Sequence, residues 1–316
     1  MGVRLYYASD IHGSEKLWRK FLGASSFYGA EVLIMGGDLT GKVMVPLVEV
    51  APGVWEGRLF GKRQRAKGEA KLAELERRVR LNGFYPLRCD RDQHRRLEED
   101  ERYREEVFKR VMADELARWL ELAGDRLANT GVRCFVMAGN DDDWEIDEVL
   151  EKAPDPVESC EGRRVTFGGV QMISSAWANP TPWDSPRELG EDELLGRLED
   201  LASALVPGIP TIFNLHCPPY DSGLDRAPEL TEDLRVRMQG GEPNLIPVGS
   251  SAVRLLIERH QPLLGLHGHI HESRAATHIG RTLCINPGSA YAEGVIEGAV
   301  VEVDGDRIVS CQLVSG

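Results

Sequence analysis

The sequence lacks the features that mark secreted, membrane-spanning and nucleic-acid-coating proteins. Its six cysteines are scattered and include no C-x-x-C pair, which argues against a zinc knuckle and indicates reduced thiols rather than a disulfide framework. No apolar run approaches the roughly 20 residues that cross a bilayer. The first residues form an apolar segment without a signal-peptide pattern. We therefore expect a soluble, cytoplasmic protein with no membrane partner.

Positive charge is also scarce, because 38 Lys and Arg face 51 Asp and Glu, for a net charge of −13. This balance argues against a surface that grips nucleic acid along its length. The exception is 58–96, with 13 basic residues against 5 acidic ones. The stretch predicts either a basic flap over an anionic substrate or part of two antiparallel helices with complementary faces. The second interpretation is favoured, since charge runs are usually solvated.

Apolar strand patterns alternate with helical patterns along most of the chain, which predicts one α/β domain over 1–316. Ser14 is a candidate cap for a helix between the first two strands, and this βαβ order predicts parallel strands. The tail after 275 predicts short strands that finish a second sheet. The buried strands are predicted at "VRLYYASD" (3–10), "EVLIMGGD" (31–38), "CFVMAGND" (134–141), "GGVQMISSAW" (168–177), "IPTIFNLHCPP" (209–219) and "PLLGLHGHIH" (262–271).

Residues 41–130 interrupt this alternation. "KVMVPLVEV" and "GVWEGRLF" predict a β-hairpin, and helical periodicity around Leu72 and around Trp119 predicts two helices. We interpret this segment as an insertion. It emerges beside Asp38, so it forms either a lid over a cleft or the interface of a homo-oligomer.

Side chains of metal-ligand type follow five of the predicted strands. Because parallel strands bring their carboxyl ends to one edge of a sheet, these residues are expected to converge. Seven ligands suit two metals about 3.5–4 Å apart that share one carboxylate. The mixture of imidazole and oxygen donors suits Mn, Fe or Zn, and we favour manganese. The candidates are Asp10, His12, Asp38, Asn140, His216, His269 and His271.

The same residues carry a family resemblance. D-x-H at Asp10–His12, G-D at 37–38, G-N at 139–140, His216 and G-H-x-H at 268–271 resemble, in order, the motifs of the calcineurin-like metallophosphoesterases. "NPGS" (286–289) resembles a loop frequent in small bacterial and archaeal members. A lone D-x-H would be weak, but five ordered blocks, each after a strand, are a specific signal.

The resemblance implies a sandwich of two mixed β-sheets flanked by helices, with a dinuclear site at the strand ends. It also implies hydrolysis of a small phosphate ester, more specifically a phosphodiester, by a hydroxide that bridges two metals. One metal would take Asp10, His12, Asp38 and His271. The other would take Asp38, Asn140, His216 and His269, so that Asp38 bridges them.

The sequence departs from the family pattern at Asp141. Many members have a histidine there that protonates or stabilises the leaving group. An Asp near cations is expected to be ionised and to be a poor general acid. We expect robust activity on activated aryl phosphodiesters and slow activity on alkyl phosphomonoesters. His267, which has no ligand role in the family, or a residue of the insertion is the candidate replacement for that acid.

Two further hypotheses stay open. The first is a nuclease, because the basic stretch at 58–96 could bind nucleic acid. The overall acidity of the chain does not favour nucleic acid as a partner. A non-catalytic scaffold of the same fold is kept because a fold does not determine a function.

Overall fold

The computed structural model describes residues 2–316. Its helices are α1 (Glu15–Tyr28), α2 (Glu69–Leu81), α3 (Arg91–Glu99), α4 (Glu101–Leu127), α5 (Glu145–Glu151), α6 (Glu191–Ala202) and α7 (Ser251–His260), with a 3₁₀ turn at Tyr291–Glu293. Its strands are β1 (Val3–Ala8), β2 (Val32–Met35), β3 (Met44–Ala51), β4 (Val54–Leu59), β5 (Lys62–Lys67), β6 (Tyr85–Cys89), β7 (Arg133–Val136), β8 (Val157–Ser159), β9 (Arg164–Phe167), β10 (Val170–Ser175), β11 (Thr211–Leu215), β12 (Arg226–Pro228), β13 (Met238–Gln239), β14 (Glu242–Pro243), β15 (Leu245–Pro247), β16 (Leu264–Leu266), β17 (Ala275–Ile279), β18 (Thr282–Asn286), β19 (Glu297–Asp304) and β20 (Arg307–Ser315).

Two six-stranded mixed sheets form the body of the protein. The first has the order β20-β19-β1-β2-β7-β8, and the second has the order β17-β18-β16-β11-β10-β9. Strands β1, β2, β7 and β8 run parallel, as do β18, β16, β11 and β10. The antiparallel strands lie outside these parallel blocks. Each sheet therefore gathers the carboxyl ends of four strands along one edge.

The parallel strands are apolar on both faces because both faces are covered. In β1, Tyr6 packs toward α1 and α4, whereas Leu5 packs into a core shared with Met172 and Ile212 of the second sheet. The outer face of the second sheet, including Phe213, packs on α6 and α7. The layers are thus helix, sheet, sheet, helix. This arrangement confirms the predicted fold class.

The strand predictions place the six buried segments correctly, but the tail is partly wrong. Strands β17 and β18 join the second sheet as expected, whereas β19 and β20 extend the first sheet. Strand β19 pairs antiparallel with β1, with Val3 opposite Val303. Its alternating Ala299, Val301 and Val303 are buried between the two sheets. Alternation identified the buried face but did not identify the partner strand.

The insertion at 41–130 is larger than a hairpin with two helices. It is a four-stranded sheet of order β5-β4-β3-β6 accompanied by α2, α3 and α4. Strand β5, "KRQRAK", was missed because only Ala66 of its six residues is buried. Asp90 begins α3 with a capping box, and the extended Asp100 separates α3 from α4. The insertion therefore contains two strands and one helix more than predicted.

Helix α4 belongs to the main core rather than to a detachable flap. The Trp119 ring stacks on Trp18 of α1 with a centroid distance of 5.9 Å. The Trp18 Nε1–H donates to the Trp119 carbonyl at 2.9 Å. Deleting 62–126 would therefore expose the apolar face of the first sheet that α4 covers. The homo-oligomer through the insertion stays a prediction.

The basic stretch at 58–96 meets acidic partners within the same insertion. Arg63 and Arg65 both pair with Glu56 on the neighbouring strand. Arg80 of α2 pairs with Glu115 of α4 at 2.7 Å. These contacts support the interpretation of complementary charged faces. Among residues 2–316, no helix combines the length and apolar character that crossing a membrane requires.

Replacing Trp119 by alanine should destabilise the whole fold. The side chain is 2% exposed, and removing a buried aromatic ring costs about 3–5 kcal/mol. The free energy of unfolding, measured by urea denaturation, checks this. Trp183, which is 62% exposed, is the matched control, and Trp183→Ala should change stability by no more than about 0.5 kcal/mol. Equal effects of the two substitutions would contradict the place of α4 in the core.

Candidate metal centre

The seven predicted ligands lie where the carboxyl edges of the two sheets meet. Asp10 follows β1, Asp38 follows β2 and Asn140 follows β7 in the first sheet, while His216 follows β11 and His269 follows β16 in the second. The junction is hydrogen-bonded directly. The His269 backbone N–H donates to both carboxylate oxygens of Asp10 at 3.1 Å. The His216 Nδ1–H donates to the Gly36 carbonyl at 2.8 Å.

The donor atoms form two overlapping groups. Within each group, the candidate ligand atoms all lie within 4.8 Å of one another, and Asp38 belongs to both. One group is Asp10, His12, Asp38 and His271, and the other is Asp38, His216 and His269. Except for Asn140, the two groups and their shared carboxylate are the sets that the family resemblance implied for two metals.

Individual distances describe a compact cluster. The Nε2 atoms of His12 and His271 are 3.1 Å apart. The His216 Nε2 lies 3.4 Å from Asp38 Oδ2 and 3.8 Å from Asp10 Oδ1. The His271 Nε2 lies 3.4 Å from Asp10 Oδ1. Imidazole nitrogens and carboxylate oxygens therefore face a common centre.

Four of these residues adopt the left-handed backbone conformation that residues other than glycine avoid. Their φ angles are 57° for Asp10, 39° for His12, 49° for Asp38 and 66° for His269. Each such residue costs of order 1–3 kcal/mol and persists only where the surroundings impose it. The concentration of strained residues at one place is typical of a functional site.

Two glycines of the motifs are required by close approach. A Cβ atom on Gly139 would lie 2.1 Å from Asp38 Oδ1, and one on Gly268 would lie 2.3 Å from Asp10 Oδ2. Any side chain at either position would collide with a carboxylate of the cluster. The glycines of G-N and G-H are therefore part of the geometry that admits the ligands.

Asp142, which sequence reasoning missed, fastens the Asp38 loop to the Asn140 loop. Its carboxylate accepts hydrogen bonds from the backbone N–H groups of Leu39 (3.0 Å), Thr40 (2.8 Å) and Gly139 (2.9 Å), and from the Thr40 hydroxyl (2.5 Å). The side chain is fully buried. A run of three aspartates resembles a polar turn, so the sequence offered no means of singling out the central one.

The "NPGS" segment fixes the histidine loop in a similar way. The Asn286 amide donates to the carbonyls of Gly268 (3.2 Å) and Ile270 (2.9 Å). The Ser289 hydroxyl donates to the Asp10 carbonyl at 2.7 Å. This segment was noticed only for its resemblance, and the structure supplies its physical role as a brace between the two sheets.

Arg187 holds the Asn140 loop through several contacts. It is 2% exposed, its guanidinium donates to the Asp142 carbonyl and pairs with Asp147 at 2.5 Å, and it lies over the Trp144 ring at 4.5 Å. The Arg187 backbone N–H donates to the Asn140 carbonyl at 3.2 Å. A buried arginine in "SPRELG" carries no recognisable motif, which is why it was missed.

Burial and charge act against each other in the cluster. Burial alone would raise the pKa of Asp10 and of Asp38, but contacts with the histidines lower both pKa values. Burial alone would lower the pKa of His216, yet Asp38 and Asp10 raise it to about 10. In His269, burial prevails and lowers the pKa to about 4. The two buried carboxylates therefore demand nearby positive charge.

Two buried atoms fit a bound cation. The Asn140 Oδ1 and the His216 Nε2 have no hydrogen-bond partner, although unpaired buried polar atoms are costly. Because the Gly36 carbonyl can only accept, the His216 Nδ1 carries the proton there and its Nε2 faces the carboxylates. Divalent cations would satisfy these atoms and neutralise Asp10 and Asp38 together.

His267 lies apart from the two donor groups. The ring is fully buried, and its Nδ1 lies 2.8 Å from the Leu215 carbonyl and 3.1 Å from the Cys217 carbonyl. Burial lowers its pKa to about 4. A proton donor needs access to a substrate, so this position does not favour the predicted catalytic role. It favours a role in supporting the neighbouring His216 loop, which lies between the two carbonyls that His267 contacts.

Asp141 is placed beside the cluster and is paired with Lys42. Its backbone N–H donates to Asp38 Oδ1 at 3.0 Å, and its carboxylate lies 3.1 Å from the Lys42 Nζ. Burial, followed by the charge of Asp38, raises the pKa of Asp141, and Lys42 opposes the rise. This direction applies to the cluster without cations, and ionisation of Asp141 beside bound cations stays a prediction. Lys42, at the start of the insertion, brings a positive charge to the edge of the site through this contact.

A cleft of about 1000 Å³ opens beside His269 and His271. Its walls are 179–183 on one side and 227–249 on the other. Among the described residues that line it, none belongs to 41–130. The structure thus does not place the insertion over this cleft. The strands β12 to β15, which build one wall, were not predicted, because their two- and three-residue lengths leave no periodicity.

Comparison of the sequence with known proteins finds a relative that matches part of the chain. No protein-family model matches the sequence. An uncharacterized protein of Methanocaldococcus jannaschii is 30% identical over 121 residues, which are 37% of this chain and 48% of the relative. The chain thus spans about half the length of that relative.

Solved structures align over nearly the whole chain. TT1561 of Thermus thermophilus has a TM-score of 0.55 and 14% identity, with coverage of 100% of this chain and 99% of that chain. An archaeal phosphodiesterase covers 99% of this chain and 100% of its own, with 10% identity, but its TM-score of 0.40 carries no inference. The likeness to TT1561 supports the layered fold alone, and the family stays what the motif resemblance implies.

Replacing Asp142 by alanine should loosen the two ligand loops. Four donors would lose their acceptor, so we expect a loss of at least about 3 kcal/mol in the free energy of unfolding and weaker metal retention. Asp143→Ala is the control, because its partly buried carboxylate lies 4.0 Å from Lys109, a long ion pair that we expect to contribute about 1 kcal/mol or less. Chemical denaturation measures the free energy of unfolding of both variants. Similar losses in the two would contradict the bracing role of Asp142.

Metal content separates the predicted ligands from His267. The purified protein should carry about two equivalents of divalent metal, and Asp38→Ala should carry little, because Asp38 belongs to both donor groups. His267→Ala should reduce activity and retain the metal. Elemental analysis after purification without chelators checks this. Complete metal loss in His267→Ala would mean that the ligand assignment is wrong.

Proposed function

We propose that this protein is a metal-dependent phosphoesterase, more specifically a phosphodiesterase, of the calcineurin-like kind. The observation that carries the proposal is the pair of donor groups that share Asp38 at the common edge of the sheets. The order of motifs along the chain supports it independently. The comparisons support the fold and leave the activity to experiment.

The residues would hold two divalent ions in the sets already described. Asp10, His12 and His271 would hold one, His216, His269 and Asn140 would hold the other, and Asp38 would contact both. When bound, such ions supply Lewis-acid activation of water and of phosphoryl oxygens near neutral pH. The mixed oxygen and imidazole donors favour manganese, with iron and zinc as the alternatives.

The chain's own groups orient the reaction. Gly36 holds His216 in one tautomer, and the Asp142 brace keeps Asp38 and Asn140 in register. Lys42 places an ammonium group beside Asp141, at the position that follows the ligand Asn140. There it would attract the anionic phosphoryl group and stabilise negative charge as it develops on the departing oxygen.

This arrangement favours esters with good leaving groups. Asp141 stands where many members of the family have a histidine, and the buried His267 does not reach the cluster. Aryl phosphodiesters, which need little protonation on departure, should therefore be cleaved faster than alkyl phosphomonoesters.

A substrate panel tests the proposal. Manganese-loaded protein should hydrolyse bis(p-nitrophenyl) phosphate readily and alkyl phosphomonoesters slowly, and chelation should abolish turnover. Faster release of phosphate from alkyl monoesters would contradict the preference. Absence of turnover on every phosphate ester, together with absence of bound metal, would favour a non-catalytic scaffold.

Lys42→Met should lower kcat for phosphodiesters by about 10–100-fold, because it removes a positive charge beside the phosphoryl group. Lys62→Met is the matched control, since Lys62 is an exposed lysine of β5. The metal content of both variants should equal that of the wild type. A kcat unchanged in Lys42→Met would remove Lys42 from the reaction and leave the metal proposal intact.

A further inference from the structure

The cleft beside His269 and His271 is apolar, although a phosphate ester is charged. Its lining includes Pro182, Trp183, Tyr220, Leu230, Val236 and Ile246. Several of these side chains stay accessible, with exposed fractions of 62% for Trp183, 43% for Tyr220 and 44% for Val236. Exposed apolar side chains gathered in a concave site typically mark the binding of an apolar ligand.

Away from His269 and His271, the charges that line the cleft argue against an anionic occupant. No Lys or Arg is among the described residues that line it, whereas Glu191, Glu229 and Glu272 are. Glu191 accepts hydrogen bonds at the start of α7, and Glu229 pairs with Arg237 at 3.4 Å. Glu272 follows the ligand His271. Any group that enters here meets apolar surface and carboxylates.

Hydrogen bonds hold each wall in place and also join the two, since the Asn179 side-chain amide donates to the Val248 carbonyl at 3.2 Å. On one side, the Thr181 backbone N–H donates to Glu188 at 2.8 Å. On the other side, Asp225 accepts from the backbone N–H groups of Asp221 at 2.8 Å and of Gly249 at 3.0 Å. A cleft braced in this way is largely formed before a ligand arrives.

We infer that this cleft binds an uncharged, apolar ester group of the substrate, of aromatic or branched aliphatic kind, while the phosphate lies at the donor cluster. The inference rests on the proposed function, since it names the class of phosphodiester that the same site takes. The cleft is continuous with the donor cluster, because His269 and His271 belong to both. A substrate whose phosphate lies at the cluster would therefore place an ester group in the cleft. The substrate is a small ester in solution with one apolar arm.

Phosphodiesters with a common leaving group test this inference. The methyl, phenyl and thymidine-5′ esters of p-nitrophenyl phosphate all carry one negative charge and release p-nitrophenolate, so leaving-group chemistry is constant. The phenyl ester should show a kcat/KM about tenfold above that of the methyl ester, through KM, because the added ring is buried in the ground state and transition state alike. The thymidine ester should not exceed the phenyl ester.

Two variants assign the preference to the cleft. Trp183→Ala and Val236→Ser should each reduce the phenyl-to-methyl ratio of kcat/KM severalfold. Phe27→Ala removes an aromatic side chain that is 80% exposed on α1, and it should leave the ratio at the wild-type value. A ratio near one in the wild type, or a ratio that survives both cleft substitutions, would overturn the inference while the proposed function stands.

A binding measurement covers the case in which no ester is cleaved. Calorimetry with manganese present should find diphenyl phosphate bound about tenfold more tightly than dimethyl phosphate, with the difference reduced in Trp183→Ala. That result without turnover would reject the proposed catalysis and support the cleft. Equal binding of the two phosphates would overturn the inference whatever the turnover, and would point to a different occupant such as an apolar segment of a partner protein.

Discussion

Two carboxylates buried within one cluster are the constraint on which the rest of the structure depends. Asp10 and Asp38 are 1% and 3% exposed, and both face His216 within 4 Å. Burying charge is costly unless opposite charge compensates it. The cluster therefore draws imidazole nitrogens toward these oxygens, and the left-handed backbone at four ligand positions is the geometry that lets them converge. The surrounding hydrogen bonds offset the strain.

The fold supplies this convergence at low cost. Two sheets, each with four parallel strands, end their strands along a common edge, so residues from 10 to 289 reach one place through short turns. Hydrogen bonds then hold the turns: those to Asp142 lie within the first sheet, those of Asn286 lie within the second, and that of Ser289 joins the two sheets. The donor set is thus positioned by rigid elements, which is the general condition for a pre-organised site.

Much of the fold and of the donor set could be predicted from the sequence, because both depend on local patterns. Apolar strands followed by Asp, Asn or His are visible in one dimension, and parallel topology predicts that they meet. The role of Asp142 was not visible, since Asp141, Asp142 and Asp143 are chemically identical and only tertiary contacts distinguish them. Strand β5 was hidden by its polar composition, and the cleft was hidden because β12 to β15 are too short for periodicity. His267 shared the strand-like spacing of its neighbours, yet its ring turns to the Leu215 and Cys217 carbonyls.

The bond from Ser289 to the backbone of Asp10 has a consequence for biosynthesis. On the ribosome, the aspartates of the first two strands emerge long before the histidines of 216–271 that neutralise them. Strand β1 also lacks one flank until β19, at Glu297–Asp304, has been synthesised. The nascent chain therefore carries an unfinished sheet with charged ends for most of its translation. Convergence of the donor cluster is accordingly a late event that requires the chain to be synthesised through β19.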